Sequence, residues 1–117
     1  MRDLYVIIAG AAELEDWGPK PLATSGQPHE RGLMLHDDAH SKLGVWECSP
    51  GSWDSAKEGC GELMHFISGH GWIVDADGRW EIRPGATRWF PDGWSGRWEV
   101  DTTVRKIFAI LTTPDKG

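Results

Sequence analysis

The residues best suited to metal chemistry lie in one short run, His36-Asp37-Asp38-Ala39-His40. Two imidazoles and two carboxylates within five residues are a mixture that divalent metals favour. Polar runs of this kind also form solvated loops, and we predict a loop here. The sequence contains no nucleophile elbow of the Gly-x-Ser-x-Gly type and no glycine loop that could hold a phosphate. Motifs alone therefore assign no reaction.

Tryptophan is the second informative residue type, because the chain has eight tryptophans and only one tyrosine. An indole offers a large rigid surface and one N–H donor, which suits core packing, interfaces and the binding of planar or cationic ligands. Most of these indoles are predicted to pack in the core or between subunits. They are Trp17, Trp46, Trp53, Trp72, Trp80, Trp89, Trp94 and Trp98.

The composition is that of one folded domain. The chain has 117 residues, of which 39% are hydrophobic and 26% charged, and such a balance is typical of globular proteins. A formal net charge of −6 and scattered basic residues argue against a nucleic-acid partner, since phosphate binding needs clustered Lys and Arg. No apolar run reaches the length of a transmembrane helix, so no membrane partner is predicted either.

The first twelve residues contain an apolar run that resembles a signal peptide only superficially. Asp3 interrupts the basic start, and Glu13 follows directly after the run. We interpret residues 4–12 as a first strand and predict a cytoplasmic protein. Cys48 and Cys60 are the only cysteines, and two thiols define no disulfide framework. Both are predicted to be reduced.

The elements that position these residues are predicted to be β-strands. Fifteen glycines and seven prolines separate short runs rich in Val, Ile, Thr, Phe and Trp, which is typical of antiparallel strands. Residues 16–32 carry three prolines and are predicted to be an extended arm or loop. An all-β sandwich or barrel follows, and closure into a jelly roll would remove its exposed edges. The predicted strands are 33–36, 43–49, 52–56, 62–68, 71–75, 79–83, 86–91, 96–101 and 103–112.

Two spacings between a small set of residues, each including glycine, resemble the motifs of a known family. Gly69 follows Glu62 after seven positions, while Pro91 and Gly93 follow Gly85 after six and eight. With the segments 44–51, 85–96, 98–100 and 104–106, this series resembles the small cupins related to ureidoglycine aminohydrolase and the ethanolamine-utilisation cupins. The resemblance implies a cupin double-stranded β-helix, a jelly-roll barrel, over residues 43–112 of a single domain spanning 1–117. Residues 1–42 lie outside it and are predicted to be an N-terminal strand and arm.

The resemblance also implies a metal site that this sequence lacks. Related aminohydrolases hold a metal with Glu, two His and Gln, and the corresponding positions here are Ala56, Glu58, Glu62 and Gly96. Two acidic groups alone are a poor site for a transition metal. We therefore predict a pocket with no metal and no cofactor.

The resemblance implies that Glu62 points into the barrel. Side chains of equal parity share one face of a strand, so inward-pointing neighbours follow from this one residue. On the strand of Glu62, the predicted inward residues are Met64, Phe66 and Ser68, and the outward ones are Leu63, His65 and Ile67. Gly96 marks the inward face of a later strand, and those predicted to share it are Trp98 and Val100. The predicted ligand-binding residues are Trp53, Glu62, Met64, Phe66, Trp98 and Lys106.

The chemical role of Glu62 can be predicted more specifically than that of any other residue. A carboxyl group in an apolar barrel loses hydration, so its pKa should rise unless a cation or several donors hold it. Possible partners are Lys57, Arg97 and Lys106, the last sharing parity with Phe108 and Ile110. A raised pKa would suit general acid or base catalysis, and a paired carboxylate would suit ligand anchoring. A structural ion pair is the remaining alternative.

Three functional hypotheses remain open. The first is the binding of a small polar metabolite, bearing an amine or amide, with Glu62 as anchor and no tightly held metal. The second is an enzyme of the aminohydrolase or isomerase kind, in which Glu62 acts as acid or base with a metal bound weakly through Glu58 or through side chains outside the motifs. The third is a non-catalytic homodimer in which residues 4–9 are exchanged between subunits. A homodimer is compatible with the first hypothesis and is predicted.

Overall fold

The computed structural model describes residues 6–114, and these form nine strands that pair antiparallel, with no helix. None of the described residues forms a helix with the length and apolar composition that spanning a membrane requires. The all-β prediction is confirmed. The strands are β1 (Glu15–Pro19), β2 (Ala23–Gly26), β3 (His29–Asp37), β4 (Ser41–Cys48), β5 (Gly51–Ala56), β6 (Cys60–Asp75), β7 (Gly78–Ile82), β8 (Thr87–Phe90) and β9 (Ser95–Thr112).

The two longest strands, β6 and β9, pair with each other along most of their length. The first half of β9 also pairs with β5 and its second half with β4. In the same way, the first half of β6 pairs with β8 and its second half with β7. One sheet therefore has the order β1-β3-β4-β9-β6-β8, and the other has the order β2-β5-β9-β6-β7. Two antiparallel sheets related in this way form a jelly-roll barrel.

Strand β6 passes from one sheet to the other at a series of bulges. Its register against β9 shifts repeatedly between Phe66 and Gly71, and bulges of this kind bend a strand. Gly69 adopts a φ of 92°, and a Cβ at this position would run into the backbone oxygen of Thr103. Glycine is needed here for both reasons. The family spacing from Glu62 to Gly69 thus ends at the bend of the barrel.

The core between the sheets is built from aromatic rings. Trp98 of β9 stacks on Trp53 of β5 with ring centres 5.5 Å apart, and Trp46 of β4 meets both rings edge-on. Phe66 of β6 and Phe90 of β8 also contact Trp98. All five rings are buried. Because they come from both sheets, their contacts hold the two layers together.

The N-terminal third differs from its prediction. Residues 16–32, predicted to be an arm or loop, contain most of β1, all of β2 and the start of β3. Strands β1 and β2 lie at the two ends of the strand order, where proline is tolerated because one side of an edge strand needs no N–H donor. The predicted first strand is wrong for residues 6–12, which form no strand. Residues 4 and 5 lie outside the described residues.

Two pairs of predicted strands are continuous in the structure. Residues 62–68 and 71–75 belong to β6, and residues 96–101 and 103–112 belong to β9. The predicted alternation on β6 holds through Phe66, but Ser68 is exposed and the inward prediction for it is wrong. The cause is the register shift between Phe66 and Ser68, which ends the alternation. On β9, Trp98 and Val100 are buried as predicted.

The polar run at residues 36–40 covers the end of β3 and the turn that joins β3 to β4. Asp38 accepts hydrogen bonds from the backbone N–H groups of His40 and Ser41 and contacts the His36 ring nitrogen at 2.8 Å. These bonds, led by that from His40, lower the pKa of Asp38. All five residues of the run are exposed. The carboxylate therefore stabilises a turn in the way typical of Asp.

The two cysteines are free thiols at distant points of the fold. Cys48 pairs opposite Val104 on β9, and Cys60 pairs opposite Thr112. Eight residues of a strand span about 26 Å, which is far beyond the reach of a disulfide. Burial raises the pKa of Cys48 to about 12, so this thiol stays protonated at neutral pH.

Candidate functional site

A cavity of about 280 Å³ lies between the two sheets beside the aromatic core. This volume equals roughly nine water molecules and lies near the lower end of the usual range for small-molecule sites. The apolar part of its wall is formed by Trp17, Met34, Trp46, Trp53, Met64, Trp98, Phe108 and Ile110. The polar part is formed by Lys20, Glu30, Ser55, Lys57, Glu62 and Lys106.

Glu62 lies in this wall with its side chain almost fully buried. Its Oε1 accepts a hydrogen bond of 2.7 Å from Nζ of Lys57, and its Oε2 accepts one of 2.8 Å from Nζ of Lys106. Both carboxylate oxygens are therefore held by ammonium groups. Arg97, the third partner considered from the sequence, pairs with Asp54 instead.

The two ammonium groups decide the charge of Glu62. Burial by itself raises the pKa of this carboxyl group, because it removes the water that stabilises the charged form. The charges and hydrogen bonds of Lys106 and Lys57 act in the opposite direction and hold the pKa below its ordinary value of 4.5. The sequence predicted a raised pKa unless cations were present. The structure supplies those cations, so Glu62 is charged at neutral pH.

Lys106 points into the cavity, and its ammonium group lies among aromatic rings. Nζ lies 4.4 Å from the ring centre of Trp46 and 5.3 Å from that of Trp98. It also contacts Sδ of Met64 at 3.3 Å. Burial lowers the pKa of Lys106, and Glu62 opposes this effect. Cation–π contacts and the ion pair together replace the water that this ammonium group loses.

A second ion pair in the cavity wall is formed by two residues that precede β4, Lys20 and Glu30. Oε1 of Glu30 accepts hydrogen bonds from Nζ of Lys20 at 3.2 Å and from the indole N–H of Trp46 at 2.8 Å. Nζ of Lys20 also lies 5.5 Å from the ring centre of Trp53. Lys20 directly follows β1 and Glu30 lies on β3. These two strands therefore complete the wall of the cavity.

The fold and the matched segment identify the family. Residues 35–108 match the EutQ-like cupin domain family. The chain belongs to this cupin family. This confirms the resemblance to the ethanolamine-utilisation cupins and assigns the barrel that surrounds the cavity. No curated protein sequence matches this cupin.

Solved structures show the same fold at low sequence identity. A protein of unknown function from Pseudomonas syringae pv. tomato is 25% identical with a TM-score of 0.76, over 86% of this chain and 45% of that protein. The cupin thus spans less than half of that protein's length. A predicted oxalate decarboxylase from Thermotoga maritima is 18% identical with a TM-score of 0.68, over 93% of this chain and 100% of that one. The EutQ protein of Clostridium difficile is 16% identical with a TM-score of 0.63, over 73% and 69%.

The structure brings five of the six predicted ligand-binding residues to the cavity. Those in its wall are Trp53, Glu62, Met64, Trp98 and Lys106. The sixth, Phe66, is fully buried outside the lining, where its ring contacts Trp98 and Trp80. Phe66 therefore supports the wall instead of forming it. Whether the five residues bind a ligand stays a prediction.

Sequence reasoning missed the part of the wall that lies before the family match. Trp17, Lys20, Glu30 and Met34 all line the cavity, yet the segment that contains most of them was predicted to be a loop. A usable signal was the alternation along β3. Glu30, Gly32 and Met34 share one parity, and a Cβ at Gly32 would run into the ring of Trp17. The indole of Trp17 therefore packs against that glycine and lines the cavity.

The residues of this cupin do not fit the metal that its relatives' pattern implies. Among residues 6–114, no group of three His, Cys, Asp or Glu side chains is placed to hold a metal ion. Glu58 is exposed and lies outside the cavity lining, and a Cβ at Gly96 would run into the ring of Trp94. The two ammonium groups on Glu62 would repel a divalent cation.

Proposed function

We propose that this cupin binds a small organic molecule in the cavity beside Glu62. The observation that carries the proposal is the combination of indole walls with five charged side chains in a cavity of about 280 Å³. Small-molecule sites are typically concave, mostly apolar and equipped with a few polar groups that fix the ligand's orientation. Five buried or half-buried charges around one cavity go beyond what core packing needs, since each charge costs desolvation energy.

The enzyme hypothesis has less support from the geometry of Glu62. A general acid must carry a proton near the working pH, but the lowered pKa of Glu62 leaves it ionised at neutral pH. Both oxygens already accept hydrogen bonds from ammonium groups, so it is also a poor base. Weak metal binding through Glu58 has no geometric support either, because Glu58 lies outside the cavity lining.

Ligand binding can be tested by tryptophan fluorescence, because three of the cavity's indoles are buried against each other. The titrants are benzoate, benzamide, benzyl alcohol and benzylamine, together with their four-carbon aliphatic counterparts. We expect at least one compound to change the emission with a saturable curve. The variant Met34→Trp, which fills the cavity from β3, should abolish that response.

A matched control separates the cavity from the outer surface. Trp89 is 48% exposed and does not line the cavity, so Trp89→Phe should leave the response unchanged. A response that survives Met34→Trp or disappears with Trp89→Phe would contradict binding in the cavity. So would the absence of a response to every compound.

We propose, secondly, that the cupin forms a homodimer through an apolar patch on the outside of one sheet. Leu63 of β6 lies between Trp89 of β8 and Ala109 of β9 in the strand register, and Ala109 is followed by Leu43 of β4. The patch is made of five large exposed side chains, Leu43, Leu63, Trp89, Ile107 and Leu111. A two-fold axis places one patch against its own copy, and an uncharged patch meets no like-charge repulsion there.

The proposed dimer differs from the strand exchange predicted from the sequence, since residues 6–9 form no strand. Sedimentation of the wild-type cupin should give twice the chain mass of 13.0 kDa. Leu63→Asp should produce a monomer, because it places a charge at the centre of the patch. Leu22→Asp is the control, since Leu22 is also an exposed leucine but lies outside the patch. A monomeric wild-type protein, or a dimeric Leu63→Asp variant, would contradict the proposal.

A further inference from the structure

Three of the four carboxylate oxygens in the cavity wall already accept hydrogen bonds among the described residues. Both oxygens of Glu62 accept hydrogen bonds from lysines, at 2.7 and 2.8 Å. Oε1 of Glu30 accepts two more, from Lys20 and from the indole of Trp46. A ligand amine would have to displace an ammonium group from Glu62 to reach that carboxylate. The anchor expected from the sequence for an amine-bearing ligand is therefore already paired with lysines.

The donor groups, in contrast, exceed the acceptors. The cavity wall holds three lysines and two glutamates, which leaves one net positive charge. Each ammonium group carries three N–H donors. Among the described residues, the Lys57 ammonium donates to Glu62 and the Lys20 ammonium donates to Glu30. Donors therefore remain for a ligand that brings acceptor oxygens and a negative charge.

Lys57 is the lysine best prepared to hold such a ligand. Its backbone N–H donates to the carbonyl of Trp94 at 2.8 Å, and its own carbonyl accepts from the N–H of Gly93 at 2.7 Å. The residue is thus fixed to the turn between β8 and β9. Its side chain is 14% exposed, compared with 7% for Lys106. An anchored, accessible ammonium group loses little freedom when it binds an anion.

We infer that the ligand of this cavity is a small organic monoanion of the carboxylate class, whose charged end binds Lys57 and whose apolar body lies against the indoles. The inference rests on the proposed function and names its ligand class. One negative charge balances the net charge of the wall. Glu62 then serves to hold Lys57 and Lys106 in place, and the lysines, not the carboxylate, contact the ligand.

A set of probes that carry different charges tests this inference in the wild-type cupin. The probes are benzoate, benzamide, benzyl alcohol, benzylamine and phenyl phosphate, which share one ring and differ in the charge of their polar end. We expect benzoate to bind at least tenfold more tightly than benzamide, benzyl alcohol or benzylamine, and more tightly than phenyl phosphate. Tighter binding of the amine, of a neutral compound or of the phosphate would overturn the assignment of a carboxylate monoanion as the ligand. Binding in the cavity would still be supported. No binding by any probe would overturn both.

Two lysine variants test whether the carboxylate of benzoate contacts Lys57. Lys57→Met should weaken benzoate binding at least tenfold, whereas Lys42→Met should not change it. Lys42 is the control because it makes an exposed ion pair with Asp37 at 2.9 Å, away from the cavity. Thermal unfolding of both variants checks that each is folded. Equal benzoate affinity in folded Lys57→Met and in the wild type would overturn the assignment of Lys57.

Discussion

Glu62→Gln is expected to destabilise the cupin by about 3–5 kcal/mol at pH 7, the cost of removing one partner from a buried ion pair. The substitution keeps the size of the side chain but leaves the buried ammonium group of Lys106 without its counter-charge. Lys57 loses its partner as well. Urea denaturation followed by tryptophan fluorescence measures the loss as a change in the free energy of unfolding.

Two control variants show whether the loss comes from a buried unpaired charge. Glu62→Leu combined with Lys106→Met removes both buried charges, and it should recover much of the stability because an apolar pair of similar volume replaces them. Lys42→Met breaks an ion pair that is about half exposed and should cost less than about 1 kcal/mol. A double variant as unstable as Glu62→Gln would contradict the electrostatic explanation.

The destabilisation caused by Glu62→Gln should also depend on pH. The folded-state pKa of Glu62 is lowered, so its contribution to stability is fully present above the unfolded value of about 4.5 and is lost as the pH falls through the lower folded value. The difference in unfolding free energy between the wild type and Glu62→Gln should therefore be constant from about pH 5.5 to 7 and shrink below pH 4.5. A difference that stays constant down to pH 3 would show that Glu62 is not stabilised as a carboxylate.

Gly69→Ala is expected to have the second large effect, a destabilisation of about 3–5 kcal/mol. Gly69 has a φ of 92°, which is strained for any residue with a Cβ, and its Cβ would also run into the backbone of Thr103 and Val104. Backbone atoms of the neighbouring strand cannot move aside as a flexible side chain can. Urea denaturation again measures the effect.

Gly85→Ala is a closely matched control for this substitution. Gly85 has a φ of 90°, but a Cβ there meets nothing within 4 Å. This variant should therefore show only the cost of the backbone conformation, about 1–2 kcal/mol. The difference between the two variants measures the close approach of β6 and β9 at the bend. Equal losses would contradict a role for that approach.

Alternation along strands is enough to place much of the site from the amino-acid sequence. With Glu62 facing inward, parity puts Met64 on the same wall, and the parity of Lys106 with Phe108 and Ile110 matches the face that lines the cavity. The same rule fails at Ser68, because a bulge changes the register after Phe66, whereas the glycine that marks the bend, Gly69, comes after the shift. Periodicity therefore predicts faces within a regular strand but not across a bend.

The first third of the chain was mispredicted for a different reason. Pro19, Pro21 and Pro28 argue for a loop in any local interpretation, but Pro19 lies in the edge strand β1, where proline is accepted on the free side, and the other two lie in the connections to β2 and β3. Whether a strand is at an edge depends on the whole topology, which local sequence does not contain. The sequence named Lys57 and Lys106 among three possible partners of Glu62, but whether both bind it depends on distances between β6, β9 and the turn before β6. These are tertiary facts, and they changed the expected ligand from an amine to an anion.

The wall formed by β1 and β3 has an evolutionary consequence. Trp17, Lys20, Glu30 and Met34 all precede residue 35, where the match to the family begins. Under the proposed function, part of the ligand selectivity would therefore come from a segment outside the family match. Exchanging that segment between homologues would alter what is recognised while the barrel, with its bend and its buried ion pair, stays the same.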